Sequence, residues 1–507
     1  MSKNEVLDAD VVIVGAGPVG LMLAAELRLG GVQPLVLERL AIPDPDRKAR
    51  GVGPLAAEAL ARRGLGERIA AHDIAGRADF RRDHGSDKKH FAWIHKIDPA
   101  LQEEPHRQGA LIWQPALVQL LTEFISELGV AVRRGHAVTA LTQDNHAVTS
   151  TVLGPDGEYR IRTRYLVGCD GGRSTIRKLA DFDFPGTAPI MVTRIARRAD
   201  IADREKLPPP GRTSTGTLMY SDTVLATFDF DDISDRGEPM TLEELQASVR
   251  RVSGTDVTIT AMQDARRFSD NARQVTSYRE GRVLLAGDAA HVHSPNGGQG
   301  LNLGIMDAVN LGWKLAATTR GWAPEGLLDT YTAERHPAGA TVLHNTRAQS
   351  ALLRPGPHVD SLRDILSELM DIKAVNQYFG RMMSGLDTRY AFAAASSDGH
   401  PLIGYHCPDV ALTIATSGGG TSKSSLFQFT RSGRGILLCS SADSAIDDLT
   451  APLSDRLERV AVLSIDHDEL AAALIRPDGV VAWAASPGQS LDIVGLRTAV
   501  LSWFGGA

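Results

Sequence analysis

Gly15-Ala16-Gly17-Pro18-Val19-Gly20 forms a G-x-G-x-x-G run, and an acidic residue, Glu38, stands eighteen positions after its last glycine. Glycines at this spacing handle phosphate. Gly15 permits a tight turn, Gly17 lets a pyrophosphate approach the backbone, and Gly20 allows a helix to pack closely on a strand. A helix that starts at such a turn offers unpaired N–H groups and its positive dipole end to an anion. A carboxylate placed as Glu38 is can accept the hydroxyl protons of an adenosine ribose. The flanking residues supply the elements that this chemistry needs. Val11 to Val14 is an apolar run of strand length, residues after Gly20 are apolar at helical spacing, and Pro34 to Leu37 is a second short strand that ends at Glu38-Arg39. The stretch from Asp10 to Arg39 is therefore a complete βαβ unit, and the chain is expected to bind an adenine dinucleotide.

Two later segments bear on which dinucleotide. Tyr165 to Arg177 (YLVGCDGGRSTIR) is a short strand that runs into Asp170-Gly171, with a helix start expected at Ser174. Arg282 to Lys314 (RVLLAGDAAHVHSPNGGQGLNLGIMDAVNLGWK) places a strand, Val283 to Ala286, before Gly287-Asp288. A glycine-rich turn follows, then a long helix from about Leu301. A carboxylate at the C-terminal end of a parallel strand is placed to bond sugar or ribityl hydroxyls. The glycines at 297, 298 and 300 let backbone N–H groups approach a flat ring. His291 and His293 stand two residues apart in a loop with no third ligand nearby, so packing behind the ring suits them better than a metal. Cys169 reads as a small buried hydrophobe.

The remaining composition excludes several classes. The chain has 507 residues, 43% hydrophobic and 23% charged, enough for two to four domains. A net charge of −7 and an isoelectric point near 6.1 argue against a nucleic-acid partner. Basic clusters such as Arg81-Arg82 and Lys88-Lys89 are broken by Asp. No apolar run reaches the roughly 18 residues that span a membrane, and no leader pattern opens the chain, so a cytoplasmic location is expected. Cys169, Cys407 and Cys439 give neither a disulfide framework nor metal spacing, and no C-x-x-C is present. Gly51-Val52-Gly53-Pro54-Leu55-Ala56 formally repeats a dinucleotide fingerprint, but it follows DPDRKAR rather than a strand and is set aside.

GAGPVG, CDGGRS and GDAAHVHSPNGGQGLNLGIMDAVNLGWKLA together resemble the three signature segments of the class A flavoprotein monooxygenases, the para-hydroxybenzoate hydroxylase-like enzymes. Within them the likeness is to aromatic polyketide hydroxylases of anthracycline and angucycline pathways and to rifampicin monooxygenase. AAELRLGGVQPLVLERL and RPDGVVAWA point the same way. The resemblance implies an α/β fold, with a Rossmann-like FAD-binding domain interleaved with a β-sheet substrate domain and followed by a thioredoxin-like C-terminal domain. It implies FAD as cofactor, with Gly15, Gly17, Pro18, Val19, Gly20, Glu38 and Arg39 at its adenosine half. Asp288 would lie at the ribityl-pyrophosphate region and the backbone of Gly298, Gln299, Gly300, Leu301 and Asn302 under the isoalloxazine. Arg50, the candidate for positioning the flavin, and Gln114, Gly287 and Pro295 match further FAD-contacting positions, and Asp170 is the aspartate of the Asp-Gly motif. NADPH or NADH would act as a transient reductant, since no second nucleotide domain of the glutathione reductase kind is present.

Expected boundaries follow. Residues 1–78, 105–184 and 276–395 form the FAD domain, 79–104 and 185–275 a mainly antiparallel substrate domain, and 398–507 the C-terminal domain. Helices are expected at 303–320, 324–352 and 359–383, and a hairpin at Leu474 to Trp483. The implied reaction is hydroxylation of a polycyclic aromatic, polyketide-type substrate with dioxygen through a flavin C4a-hydroperoxide, in an antibiotic-biosynthesis setting, by a monomer or homodimer. A base that deprotonates a phenol would help; His95, Tyr220 and Arg266 lie in the cap, and none is singled out. A Baeyer–Villiger oxygenase on a polyketide ketone and a drug-sequestering flavin-binding resistance protein are the alternatives. A flavin halogenase lacks support, because no W-x-W-x-I-P segment is present.

Overall fold

The computed structural model describes residues 8–84, 88–233, 238–392, 399–415, 420–440 and 444–506. Strand β1 (Ala9–Val14), helix α1 (Pro18–Leu29) and strand β2 (Pro34–Glu38) realise the expected βαβ unit. Both strands are rich in Val, Leu and Ile and are buried on both faces, as a parallel sheet requires. β1 pairs in parallel with β2 on one side and with β3 (Gly157–Gly168) on the other, Val11 lying opposite Pro34 and Tyr165. After β3 comes a short helix, α2 (Thr175–Leu179), capped by the Ser174 side chain as expected. Strand β4 (Val283–Leu285) then joins β3 in parallel. The sheet runs Arg279–Glu280, β4, β3, β1, β2, Val132–Arg134, with the hairpin Ala137–Gln143 and Val148–Gly154 added antiparallel to β3. Helix α3 (Gly300–Arg320) packs against α1 and is buried along most of its length. Helix α4 (Thr330–Leu353) packs against it.

Residues 192–269 form an antiparallel sheet in the order Gly211–Arg212, Gly216–Tyr220, Val224–Asp229, Val192–Ala202, Thr258–Ser269. The helix Leu242–Ser253 covers one face, started by the Thr241 side chain and ended by Gly254 at φ +67°. Within it the buried Arg194 is met by Asp229, Asp232 and Glu244.

Residues 79–104, expected to join this sheet, do otherwise. The helix Gly66–His84 carries into them, and Lys89–Phe91 pairs with Ile94–Ile97 as a separate ribbon. Phe91, Ala92, Ile94 and Ile97 bury against Leu352, Met370 and Phe379 rather than against the sheet. The ribbon touches the sheet through Trp93, whose ring meets Phe228 edge-on at 5.4 Å. Two helix expectations also shift. The segment from 324 enters α4 only at Thr330, because Gly326 turns at φ +76° and a short 3-10 helix, Leu327–Asp329, comes first. The helix expected at 359–383 is two, Pro357–Leu369 and Lys373–Ser384, parted where Asn376 binds the Met370 carbonyl at 3.0 Å.

The C-terminal part builds a six-stranded mixed sheet: Thr421–Ser425, Ala411–Ala415, Leu457–Ile465, Gly435–Cys439, Ala472–Ile475, Val481–Ala485. Its one parallel pair joins Gly435–Cys439 to Leu457–Ile465, and the hairpin forms between the last two strands. The junction 393–398, residues 416–419 at the start of a stretch rich in glycine and serine, and residues 441–443 after Cys439 lie outside the described residues, as do the side chains of Arg81 and Arg82. Among the described residues no helix is long and apolar enough to cross a membrane.

Candidate cofactor cleft

The three glycine segments meet at the C-terminal ends of β1, β3 and β4. Gly15 has φ +111°, and a Cβ there would collide with the Cys169 carbonyl; a Cβ on Gly20 would collide with the Gly15 carbonyl. These two glycines exist for close packing. Gly17 is different: nothing lies within 4 Å of a Cβ built on it, so its backbone faces open space. α1 begins at Pro18 with no side chain capping its N-terminus. Val19 packs into the third segment, where a Cβ on Gly287 would lie 3.0 Å from it and one on Gly304 2.7 Å. Arg177 ties the second segment to the third, donating to the carbonyls of Gly172 and Ala289 at 2.9 Å each.

Glu38 closes the turn. Its Oε2 accepts from the Ala16 N–H at 2.8 Å and its Oε1 from the Leu40 N–H at 2.9 Å. A carboxylate offers about four lone-pair sites, so both oxygens retain capacity for two hydroxyl groups. Arg39 is exposed beyond the strand. Asp170 turns inward: it accepts from Ser174 Oγ at 2.5 Å and from the backbone of Thr175 at 2.6 Å and Ile176 at 3.2 Å. Its geometry is that of a group holding the start of α2. Cys169 packs beside Gly20, and burial pushes its thiol well up, consistent with an inert small side chain.

The glycine-rich turn before α3 forms a cradle. Gly297 and Gly298 have φ +84° and +64°, and a Cβ on Gly298 would meet nothing within 4 Å. α3 starts at Gly300 with no side-chain cap, Leu301 half-buried in its first turn and Pro295 exposed beside it. Gln299 and Asn302 are committed to other groups, while Asn296 is buried with its Nδ2 lacking a hydrogen-bond partner. Asn302 accepts from Gly53 N at 2.5 Å and donates to the Gly298 carbonyl at 2.9 Å. Gln299 is held by Asn345 at 2.7 Å and by the Met382 carbonyl at 3.1 Å. Asn302 thereby fixes the loop that carries Arg50. The Gln114 N–H donates to the Ala49 carbonyl at 2.9 Å, so Arg50 and Gln114 stand side by side. Asp288 is exposed at the end of β4.

Behind the cleft is a group that sequence reasoning missed. Asp307, fully buried on α3, accepts from Gly287 N at 3.0 Å, lies 2.7 Å from His291 Nε2 and accepts from Arg335 Nε at 2.8 Å. Burial pushes its carboxyl up, but Arg335 and His291 outweigh it and hold Asp307 below the usual range. His293 points elsewhere, its Nδ1 2.7 Å from the Ser294 carbonyl, and burial lowers its basicity. The signal was present in the chain: Asp307, Asn310 and Lys314 are polar residues at three- and four-residue spacing inside an otherwise apolar helix.

The residues present fit a flavin dinucleotide: an open Gly17 beside an uncapped helix, a carboxylate at the end of β2 with lone pairs to spare, and a glycine cradle at the start of a second uncapped helix. The model for the FAD binding domain matches residues 8–346, and that for the C-terminal domain of aromatic-ring hydroxylases matches 400–507. The chain belongs to the FAD-dependent aromatic-ring monooxygenases. It is similar to the 12-dehydrotetracycline 5-monooxygenase/anhydrotetracycline 6-monooxygenase of Streptomyces rimosus, 43% identical over 98% of this chain and 99% of that one. It is similar to the rifampicin monooxygenase of Streptomyces venezuelae, 39% identical over 98% of this chain and 99% of its relative. The solved anhydrotetracycline hydroxylase from Streptomyces rimosus matches with a TM-score of 0.85 at 42% identity, covering 98% of this chain and all of that one.

In this monooxygenase the three cap residues considered for a base fall in different settings. Tyr220 donates its hydroxyl to the Pro208 carbonyl at 3.0 Å, within the antiparallel sheet. His95 is exposed and stacks with His90 and Trp93 at 5.1 and 6.4 Å. Arg266 pairs with Asp46 at 3.3 Å. The structure does not gather them at one point.

Proposed function

We propose that this chain hydroxylates a phenolic ring of a polycyclic aromatic, polyketide-type substrate, with NAD(P)H as reductant and dioxygen as the oxygen source. Similarity along 98% of the chain, at 43% identity, to an enzyme named as a monooxygenase of 12-dehydrotetracycline and anhydrotetracycline carries the reading. Bound FAD supplies electron transfer from NAD(P)H and activation of dioxygen for transfer of one oxygen atom to an electron-rich ring. The chain's residues do the holding. Gly17 and the N-terminus of α1 receive the pyrophosphate, Glu38 the ribose, Arg50, Gln114 and Asp288 the groups between, and the Gly298–Asn302 backbone the flat ring. The N-terminal dipole of α3, which has no side-chain cap, would favour negative charge on a ring held there. On this reading the sheet 192–269, tied to the loop after β2 by Arg197 and Arg266, would exclude water from the reacting ring.

Residues 1–78, 105–184 and 276–395 act as the FAD domain on this reading. The mixed C-terminal sheet is taken as thioredoxin-like, with a structural role: Cys439 is buried and has no cysteine partner for dithiol chemistry. The enzyme is taken to be cytoplasmic, as a monomer or homodimer. The test is NADPH consumption and product structure with a panel of polycyclic phenols that includes anhydrotetracycline. A new ring hydroxyl at the expense of NADPH is the expected result. Oxygen inserted beside a ketone would replace this reading with Baeyer–Villiger oxidation, and tight binding without NADPH oxidation would replace it with sequestration.

A further inference from the structure

Trp113, the residue before the helix Gln114–Glu127, carries an unusual load of positive charge. The guanidinium carbons of Arg47, Arg50 and Arg197 lie 5.3, 5.2 and 5.2 Å from its ring centroid. Two of these come from the loop after β2 and the third from the antiparallel sheet. Arg197 donates to the Arg47 carbonyl at 2.6 Å, which locks loop and sheet together. Arg266, on the strand beside that of Arg197, reaches the same loop through Asp46. The carboxylates facing this group among the described residues are Asp44, Asp46 and Asp264, and Lys48 answers Asp44 at 2.6 Å, so four guanidiniums and one ammonium meet three negative charges. The arginines oppose one another: burial first, then Arg266 and Arg47, pull Arg197 below the ordinary arginine range.

We infer that this cluster receives the phosphate groups of the nicotinamide dinucleotide, an inference that rests on the NAD(P)H-dependent reaction proposed above. The chain has a single glycine fingerprint in a βαβ setting, and the flavin dinucleotide uses it. A second dinucleotide must be held by side chains, and the guanidinium fork matches phosphate geometry better than any other side chain. The net charge of −7 gives the whole molecule a field that repels a polyanion, so capture requires a local reversal of sign. The cluster supplies one beside the cleft, since the loop that carries Arg47 and Arg50 is tied to the first turn of α3 by the Gly53 N–H, which donates to Asn302 at 2.5 Å. A bound phosphate also relieves the repulsion among the arginines.

The test uses the holoenzyme and the double variant Arg197→Gln/Arg266→Gln, which leaves Arg47 and Arg50 in place. The KM for NADPH should rise about ten- to a hundredfold, the loss expected for charge-assisted contacts, and that for NADH by less, since NADH lacks the 2′-phosphate. FAD content and the KM for the aromatic substrate should stay unchanged. In the wild type, the KM for NADPH should climb with ionic strength, a readout that needs no variant to fold; a flat salt profile overturns the inference. So does loss of FAD at unchanged KM for NADPH, or a rise confined to the aromatic substrate. If NADP+ binds the wild type, loses affinity in the variant, and yet NADPH is never oxidised, the cluster stands and the hydroxylase reading fails. If the variant oxidises NADPH with an unaltered KM, the hydroxylase reading stands and the cluster fails.

Discussion

At the seam with the C-terminal domain, Lys314, Glu334, Arg476 and Asp478 are all buried, and each charge is answered. Glu334 accepts from Lys314 at 2.8 Å and from both Arg476 terminal nitrogens at 2.7 Å; Asp478 binds the same guanidinium and Asn310. Arg476 also lies 4.3 Å from the Trp503 ring centroid. Across the molecule, the cleft is built the opposite way. Gly17 and Gly298 face open space, two helices start without side-chain caps, and arginines outnumber carboxylates around Trp113 among the described residues. Matched charge closes the seam against change, whereas the cleft keeps backbone donors and excess positive charge for phosphate and flavin. The same residue types fasten one region and prepare the other, according to whether the chain itself supplies the counter-charge.

The seam offers the largest effect. Arg476→Ala leaves two buried carboxylates with Lys314 as the one cation bonded to them and should cost about 3–5 kcal/mol of stability, read as a lower denaturant midpoint; an unshifted midpoint would end the contrast. Acid should find the same weakness. Burial raises the Glu334 and Asp478 carboxyls, but Arg476 above all holds both below the usual range. Their stabilisation is complete above the 4.5 of an ordinary glutamate and is lost as pH falls through the lower values they have when folded. A Tm measured against pH should fall in that window, and less steeply in the Arg476 variant.

Asp307→Asn acts between the two regions. It leaves Arg335 buried without its carboxylate and loosens the Gly287 turn, so a stability loss of roughly 3 kcal/mol should accompany weaker FAD binding. Normal stability with normal FAD affinity would show that the group is dispensable. Glu38→Ala touches the cleft alone. FAD affinity should drop about ten- to a hundredfold, with the product unchanged, in flavin titrations of the apoprotein. The smallest change is expected from Gly298→Ala, where space is free but φ is +64°. Backbone strain of about 1–2 kcal/mol should appear in the Tm without blocking flavin binding; exclusion of flavin would mean that the cradle is narrower than it looks.

What could be read from the chain alone follows the same division. The cleft was legible because its parts are local: glycines, a strand end and a helix start lie within a few residues of one another, and β1, β2 and β4 fall within one or two residues of their expected bounds. The seam was not, since Glu334 meets Arg476 across 142 positions and nothing near either announces the other. The Arg197 and Trp113 contact was hidden for the same reason. The ribbon 89–97 misled because short alternating strands look alike whichever sheet they join. Its side chains chose the helices after Pro357, where Lys96 reaches Asp371 at 2.7 Å. The split of those helices left no glycine or proline to mark it.

The order of the parallel strands also bears on how the protein is made. β1 leaves the ribosome early, yet one of its neighbours is β3, with Val11 opposite Tyr165, and the Val19 wedge waits longer still for Gly287 and Gly304. Pairing across such separations carries a large loop-closure cost and is slow. The nascent βαβ unit therefore passes much of its synthesis with one sheet edge bare, and the pocket for flavin is complete only after α3 has emerged. Cofactor capture is in this sense a late event of synthesis, and an expression host short of flavin would strand the chain with its cleft assembled and unfilled.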